Sequence, residues 1–154
     1  MKPNNFSSFQ EREDFGLANE RHYKETICEM FEDWGELNWS EDKYSTFDFT
    51  NHICSVELKG RTCFSHTYPT AIVGYNKIKE GMTRVKNGKQ VFFLWSYKDG
   101  LYMWELTLNS WLLIGGKNSI TDYLGCPYGK VIKNVEIPYK FLEKVSNIPT
   151  VDRD

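Results

Sequence analysis

The sequence predicts a mixed α/β domain, a central β-sheet with helices packed against it. Three observations predict this. An apolar stripe at helical spacing runs through residues 13–35. Short aromatic and β-branched runs recur at 44–49, 53–59, 91–97 and 101–107. A second helical segment lies between the two pairs of runs. The chain has 154 residues, 40% hydrophobic and 16% aromatic, which suffices for one buried core. One domain is expected over 1–154, with 1–12 and 150–154 as frayed ends.

Tyr23, Ile27, Met30, Phe31 and Trp34 fall on one helical face, and Gly35 is the stop signal. A short strand is expected around Leu37 and Trp39. The runs "YSTFDF" and "ICSVELK" form a hairpin turning at Thr50, Asn51 and His52. In the second strand Cys54, Val56 and Leu58 point one way, and Ser55, Glu57 and Lys59 the other. Pro69 opens the next helix, which ends at Gly81. "NGK" at 87–89 is a turn, and "VFFLWSY" and "LYMWELT" form a second hairpin through "KDG". "VIKNVEIP" is a last strand, and "YKFLEKV" a closing helical turn.

Residues 1–58 carry five Lys/Arg against 13 Asp/Glu, whereas residues 59–98 carry eight against one. An acidic front suited to cations therefore precedes a basic middle suited to phosphates, although solvated faces have the same composition. No basic segment followed by an apolar run opens the chain, and "VFFLW" and "WLLI" are too short to span a membrane. A soluble intracellular protein with reduced Cys28, Cys54, Cys63 and Cys126 is expected.

Asp48, Glu57 and Lys59 are the candidate chemistry. With Asn51-His52 as turn centre, paired residue numbers sum to 103, and Asp48 lies diagonal to Glu57. A sum of 105 sets the two face to face, and an even sum separates them. Two converging carboxylates on a rigid sheet suit Mg²⁺, which takes oxygen ligands. An adjacent lysine supplies charge to a phosphate. A solvent-facing strand with an ordinary ion pair carries the same E-x-K pattern.

The spacing D-(x)8-E-x-K resembles the signature of the PD-(D/E)XK nuclease superfamily, the restriction-endonuclease-like fold. The proline usual before the aspartate is replaced by Phe47. The segment "FGLANER" looks similar to the G-x-x-x-E of archaeal Holliday-junction resolvases and related phage nucleases, with Gly16 and Glu20 at that spacing. The resemblance implies the order α-β-β-β-α-β and a Mg²⁺ or Mn²⁺ held by Asp48, Glu57, the Leu58 carbonyl and Glu20. Lys59 would position the attacking water or neutralise charge. The helical Lys77 would touch phosphate. Arg61, Lys79, Arg84 and Lys86 would extend a basic track for DNA. The expected activity is metal-dependent hydrolysis of phosphodiesters, in DNA that is plain or branched, by a possible homodimer.

Two other readings stand beside it. A catalytically silent domain of the same fold would bind nucleic acid or act as a scaffold. His52, Cys54, Cys63 and His66 would make a zinc-binding interaction domain.

Overall fold

The computed structural model describes residues 9–40, 47–125 and 130–151. Helix α1 spans Phe9–Met30, and a 3-10 turn follows over Glu32–Trp34. Strands β1 (Asn38–Trp39), β2 (Phe49–Thr50) and β3 (Cys54–Gly60) form a meander. Then come β4 (Thr70–Gly74), α2 (Tyr75–Lys86), β5 (Gln90–Tyr97) and β6 (Gly100–Leu106). Helix α3 (Leu108–Leu113), β7 (Ile120–Gly125), β8 (Lys130–Pro138) and β9 (Glu143–Ser146) complete the order.

The main sheet is mixed and six-stranded, in the order β1-β2-β3-β5-β6-β9, with β3 parallel to β5. A smaller sheet runs β4-β8-β7. The α/β class expected from the sequence is therefore the observed one.

The layers follow from alternation along the strands. Cys54, Val56 and Leu58 of β3 join Phe92 and Leu94 of β5 beneath Tyr23 and Ile27 of α1 and Phe31 just after it. On the other side, Val91, Phe93, Trp95 and Tyr97 meet Ile78 of α2 and Ala71, Val73, Val135 and Ile137 of the small sheet. Of the expected stripe, Tyr23, Ile27 and Phe31 are buried and Met30 and Trp34 partly so, and Gly35 takes a positive φ of 97° at the end of the 3-10 turn.

Several expectations are corrected. "TAIVG" is strand β4, not the start of a helix. Its β-branched residues favour the extended chain, and Ala71 and Val73 alternate into the core. Helix α2 runs through Gly81 to Lys86, because Gly81 lies where α2 presses on Leu106 and Val91. β8 is not the last strand, since Tyr139–Phe141 form a single 3-10 turn and β9 follows. Helix α1 begins at Phe9, earlier than the expected start at residue 13. Thr150 is buried, donating its N–H to the Tyr97 carbonyl and its hydroxyl to Asn19. Of the hairpin run 44–49, residues 44–46 lie outside the described residues, and strand pairing begins at Phe49.

Candidate functional site

The β2–β3 turn decides the register. Asn51 Oδ1 accepts hydrogen bonds from the Ile53 and Cys54 amides at 2.8 Å, and Asn51 Nδ2 donates to the Trp34 and Glu36 carbonyls. This side-chain turn pairs Phe49 with Val56 and Thr50 with Ser55. Their numbers sum to 105, the register that sets Asp48 across from Glu57. The Asp48 amide donates to the Val56 carbonyl at 3.1 Å, and Asp48 Oδ2 accepts from the Leu58 amide at 2.8 Å. The Cys54 and Val56 carbonyls both turn toward β2. By the two-residue repeat of the strand, the Leu58 carbonyl turns the same way, beside Asp48.

Glu57 is 4% exposed. Its Oε2 lies 3.6 Å from Lys59 Nζ and 3.5 Å from Lys77 Nζ, while among the described residues no N–H or O–H donor reaches its buried Oε1; the carboxyl it meets there is that of Asp48, with which it shares a side-chain hydrogen bond when protonated. Burial and the facing Asp48 raise the Glu57 pKa against the pull of the two lysines. Burial likewise raises that of Asp48, against the Leu58 amide and Lys59.

The odd-numbered face of β3 is not free, as its pattern would suggest. Ser55 and Glu57 are buried because α2 lies over them. Arg84 Nη1 donates to Ser55 Oγ at 2.7 Å, and Lys77 reaches Glu57. Phe47 forms the floor beneath both cations, with its ring centroid 4.6 Å from the Arg84 guanidinium carbon and 5.9 Å from Lys77 Nζ. An aromatic thus stands at the position before Asp48.

Glu20 arrives from α1, 9% exposed, and Trp39 Nε1 donates to its Oε1 at 3.0 Å. Burial and the charge of Asp48 push its pKa up to about 7, opposed by Trp39, Lys59 and Arg21. Glu20, Asp48, Glu57, Lys59 and Lys77 are therefore in one electrostatic neighbourhood.

No family model matches the chain, and no curated protein is significantly similar to it. The site must be read from its own chemistry.

Among the described residues, no three His, Cys, Asp or Glu side chains stand close enough to hold an ion as they are. The fit of a hard cation rests on other observations. Asp48 and Glu57 face each other, Glu57 Oε1 is a buried oxygen lacking a donor, and the Leu58 carbonyl is turned to the same edge. An oxygen-seeking divalent ion suits these donors.

The remaining sequence candidates are dispersed. Arg61 turns into a cavity, and its Nη2 donates to the Ile72 carbonyl at 2.8 Å. Arg84 is turned inward. Lys79, with Nζ 5.1 Å from the Tyr75 ring centroid, and Lys86 are exposed on α2. The four residues weighed for zinc do not meet. Cys54 is in the core under α1, Cys63 packs on the opposite side of the sheet, and His66 stacks on Tyr139 at 4.2 Å. Trp39 and Ser55 were not singled out by the sequence. Their only signal was position, on a short strand before the hairpin and two residues before Glu57.

Proposed function

We propose that the protein is a metal-dependent nuclease of the PD-(D/E)XK type, hydrolysing phosphodiester bonds in DNA. The observation that carries this reading is the register. Asp48 stands opposite Glu57, with Lys59 two residues along on the same face. The order α1, β1-β2-β3, α2, β5, with β3 parallel to β5, supports the reading once β4, which pairs in the small sheet, is set aside as an insertion between β3 and α2.

In this reading Asp48, Glu57 and the Leu58 carbonyl hold Mg²⁺ or Mn²⁺. Glu20 would join that shell from α1, directly or through a water. The bound ion supplies a water activated at neutral pH and a positive charge at the phosphate. Lys59, with its side chain 37% exposed, faces the solvent side, where it meets the phosphate oxygens and orients the attacking water. Lys77 is more enclosed, at 20%, and holds Glu57 in place from α2. Water adds to phosphorus, the bond to one sugar oxygen breaks, and that oxygen takes a proton.

Cleavage of plasmid or branched DNA is expected with Mg²⁺ or Mn²⁺ and not with EDTA. Lys59→Ala is expected to abolish cleavage without changing the circular dichroism spectrum. Full activity in that variant, or cleavage that ignores EDTA, would refute the reading.

A second reading is favoured by one observation. Two ammonium groups already neutralise Glu57 without an ion. A silent nucleic-acid-binding or scaffold domain would keep that pair and cleave nothing. The same assay separates the two.

A further inference from the structure

Beyond the end of β3 lies a cavity of about 380 Å³ that the carboxylate site does not use. Arg61, Thr62, Cys63 and Tyr68 line it from the β3–β4 connection, with Tyr97 from β5 and Tyr139 from the 3-10 turn after β8. Thr70, Ile72, Tyr123 and Asn134 of the small sheet close it.

Arg61 is partly buried, and among the described residues its guanidinium makes one side-chain hydrogen bond, to the Ile72 carbonyl. A guanidinium carries five N–H donors. The ionisable groups beside it are the phenols of Tyr97 and Tyr139 and the thiol of Cys63. Burial raises both phenols, which keeps them neutral at neutral pH. No carboxylate among the described residues pairs with Arg61. A cation withdrawn from water without a counter-charge is costly. An anion entering the cavity relieves that cost and takes up the unused donors.

The walls select what accompanies the anion. Tyr68 and Tyr123 are 49% and 61% exposed, so their rings are presented at the rim and not spent in the core. Exposed aromatic faces beside a cation are what a nucleobase stacks on. The volume is at the low end of the roughly 300–1,000 Å³ of small-molecule sites, room for one nucleotide and not for a duplex. Arg61 shares the face of Glu57 and Lys59, about 13 Å beyond Glu57 at the rise of a strand.

We propose that this cavity is a subsite for one unpaired nucleotide of a nucleic-acid strand, its phosphate on Arg61 and its base against Tyr68 and Tyr123. The strand itself rests on the nuclease reading above, and the subsite would give that activity a preference for single-stranded or frayed substrate.

The test uses the metal-free 154-residue chain and intrinsic fluorescence. It is titrated with thymidine monophosphate, thymidine, inorganic phosphate and a short 5′-phosphorylated oligothymidylate. Saturable binding of the monophosphate is expected, with thymidine and phosphate each weaker by about tenfold or more, and the oligonucleotide binding at least as well. Arg61→Gln is expected to weaken the monophosphate by about tenfold, as loss of a charged hydrogen bond does. Tyr68→Ala and Tyr123→Ala, at exposed positions that leave the core intact, are expected to weaken it too.

The proposal is overturned by absent binding, or by binding unchanged in all three cavity variants. It is equally overturned if phosphate alone binds as well as the monophosphate, or if the oligonucleotide is excluded. Binding without any cleavage would remove the nuclease reading and leave the subsite. Cleavage without binding would do the reverse.

Discussion

At the scale of single residues, the site is a contest between burial and charge. Glu20 and Glu57 are both withdrawn from water, and both feel Asp48. Their pKa values are raised in the fold, so the folded chain holds protons that the unfolded chain has released. The stability they contribute is fully present below the unfolded value and lost as pH rises through the folded one. For Glu20 that window runs from 4.5 to about 7. In EDTA, the melting temperature of the wild type is expected to fall across it. Glu20→Gln keeps an oxygen for Trp39 Nε1 but cannot ionise, so its decline should be shallower by a few degrees. Melting curves at both ends of the window would show it, and an identical decline would contradict the assignment.

The same residues mark the limit of what the sequence disclosed. Period-two alternation put Asp48, Glu57 and Lys59 on one face for either odd register. It could not choose between registers, because that choice belongs to the Asn51 side chain bridging the β2–β3 turn and the 3-10 turn after α1. Nor could it disclose that the face is covered. Burial of Glu57 comes from α2, whose docking is a tertiary event.

At the scale of elements, strong local patterns matched the structure and weak ones did not. Long aromatic strands β5 and β6 and the amphipathic α1 were legible because their periodicity is sustained. β4 was misread because Tyr68-Pro69-Thr70 imitates a helix start, and Gly81 imitates a stop. β9, "EKVS", is a short edge strand whose polar residues carry no apolar alternation. Gly81 serves packing and not termination. A Cβ there would stand 2.8 Å from Leu106 Cδ2 and 3.2 Å from Val91 Cγ1, both in fully buried side chains. Gly81→Ala would gain about 1 kcal/mol of helix propensity and lose about 1–3 kcal/mol to overpacking. A net loss is expected in urea unfolding, and a gain would mean that α2 can shift outward.

At the scale of the molecule, α1 is bound to the far part of the chain. Asn19 is fully buried, and its Oδ1 accepts from Thr150 Oγ1 at 2.8 Å and from Ser96 Oγ at 3.2 Å. Tyr23 donates to the Ile148 carbonyl at 2.7 Å, and His22 Nε2 meets the Pro149 carbonyl at 3.0 Å. Asn19→Ala removes the acceptor that Ser96 and Thr150 share and leaves the two hydroxyls only each other, 3.2 Å apart, at a cost of about 1–3 kcal/mol. Hydrogen exchange should then quicken at Thr150 before it does at Phe93 in the sheet. Equal protection in the variant would show that the segment is held by other contacts.

That attachment has a consequence for the order in which the carboxylates assemble. Asp48 meets the Leu58 amide across ten positions of chain, whereas Asn19 waits for a partner 131 positions away. Closure of the short loop demands little entropy and closure of the long one more. During synthesis, the hairpin bearing Asp48 and Glu57 leaves the ribosome well before residues 148–151 exist. The contact of Asp48 with the Leu58 amide is local to the hairpin, whereas the Asn19 anchor of α1 waits until residues 148–151 have been made.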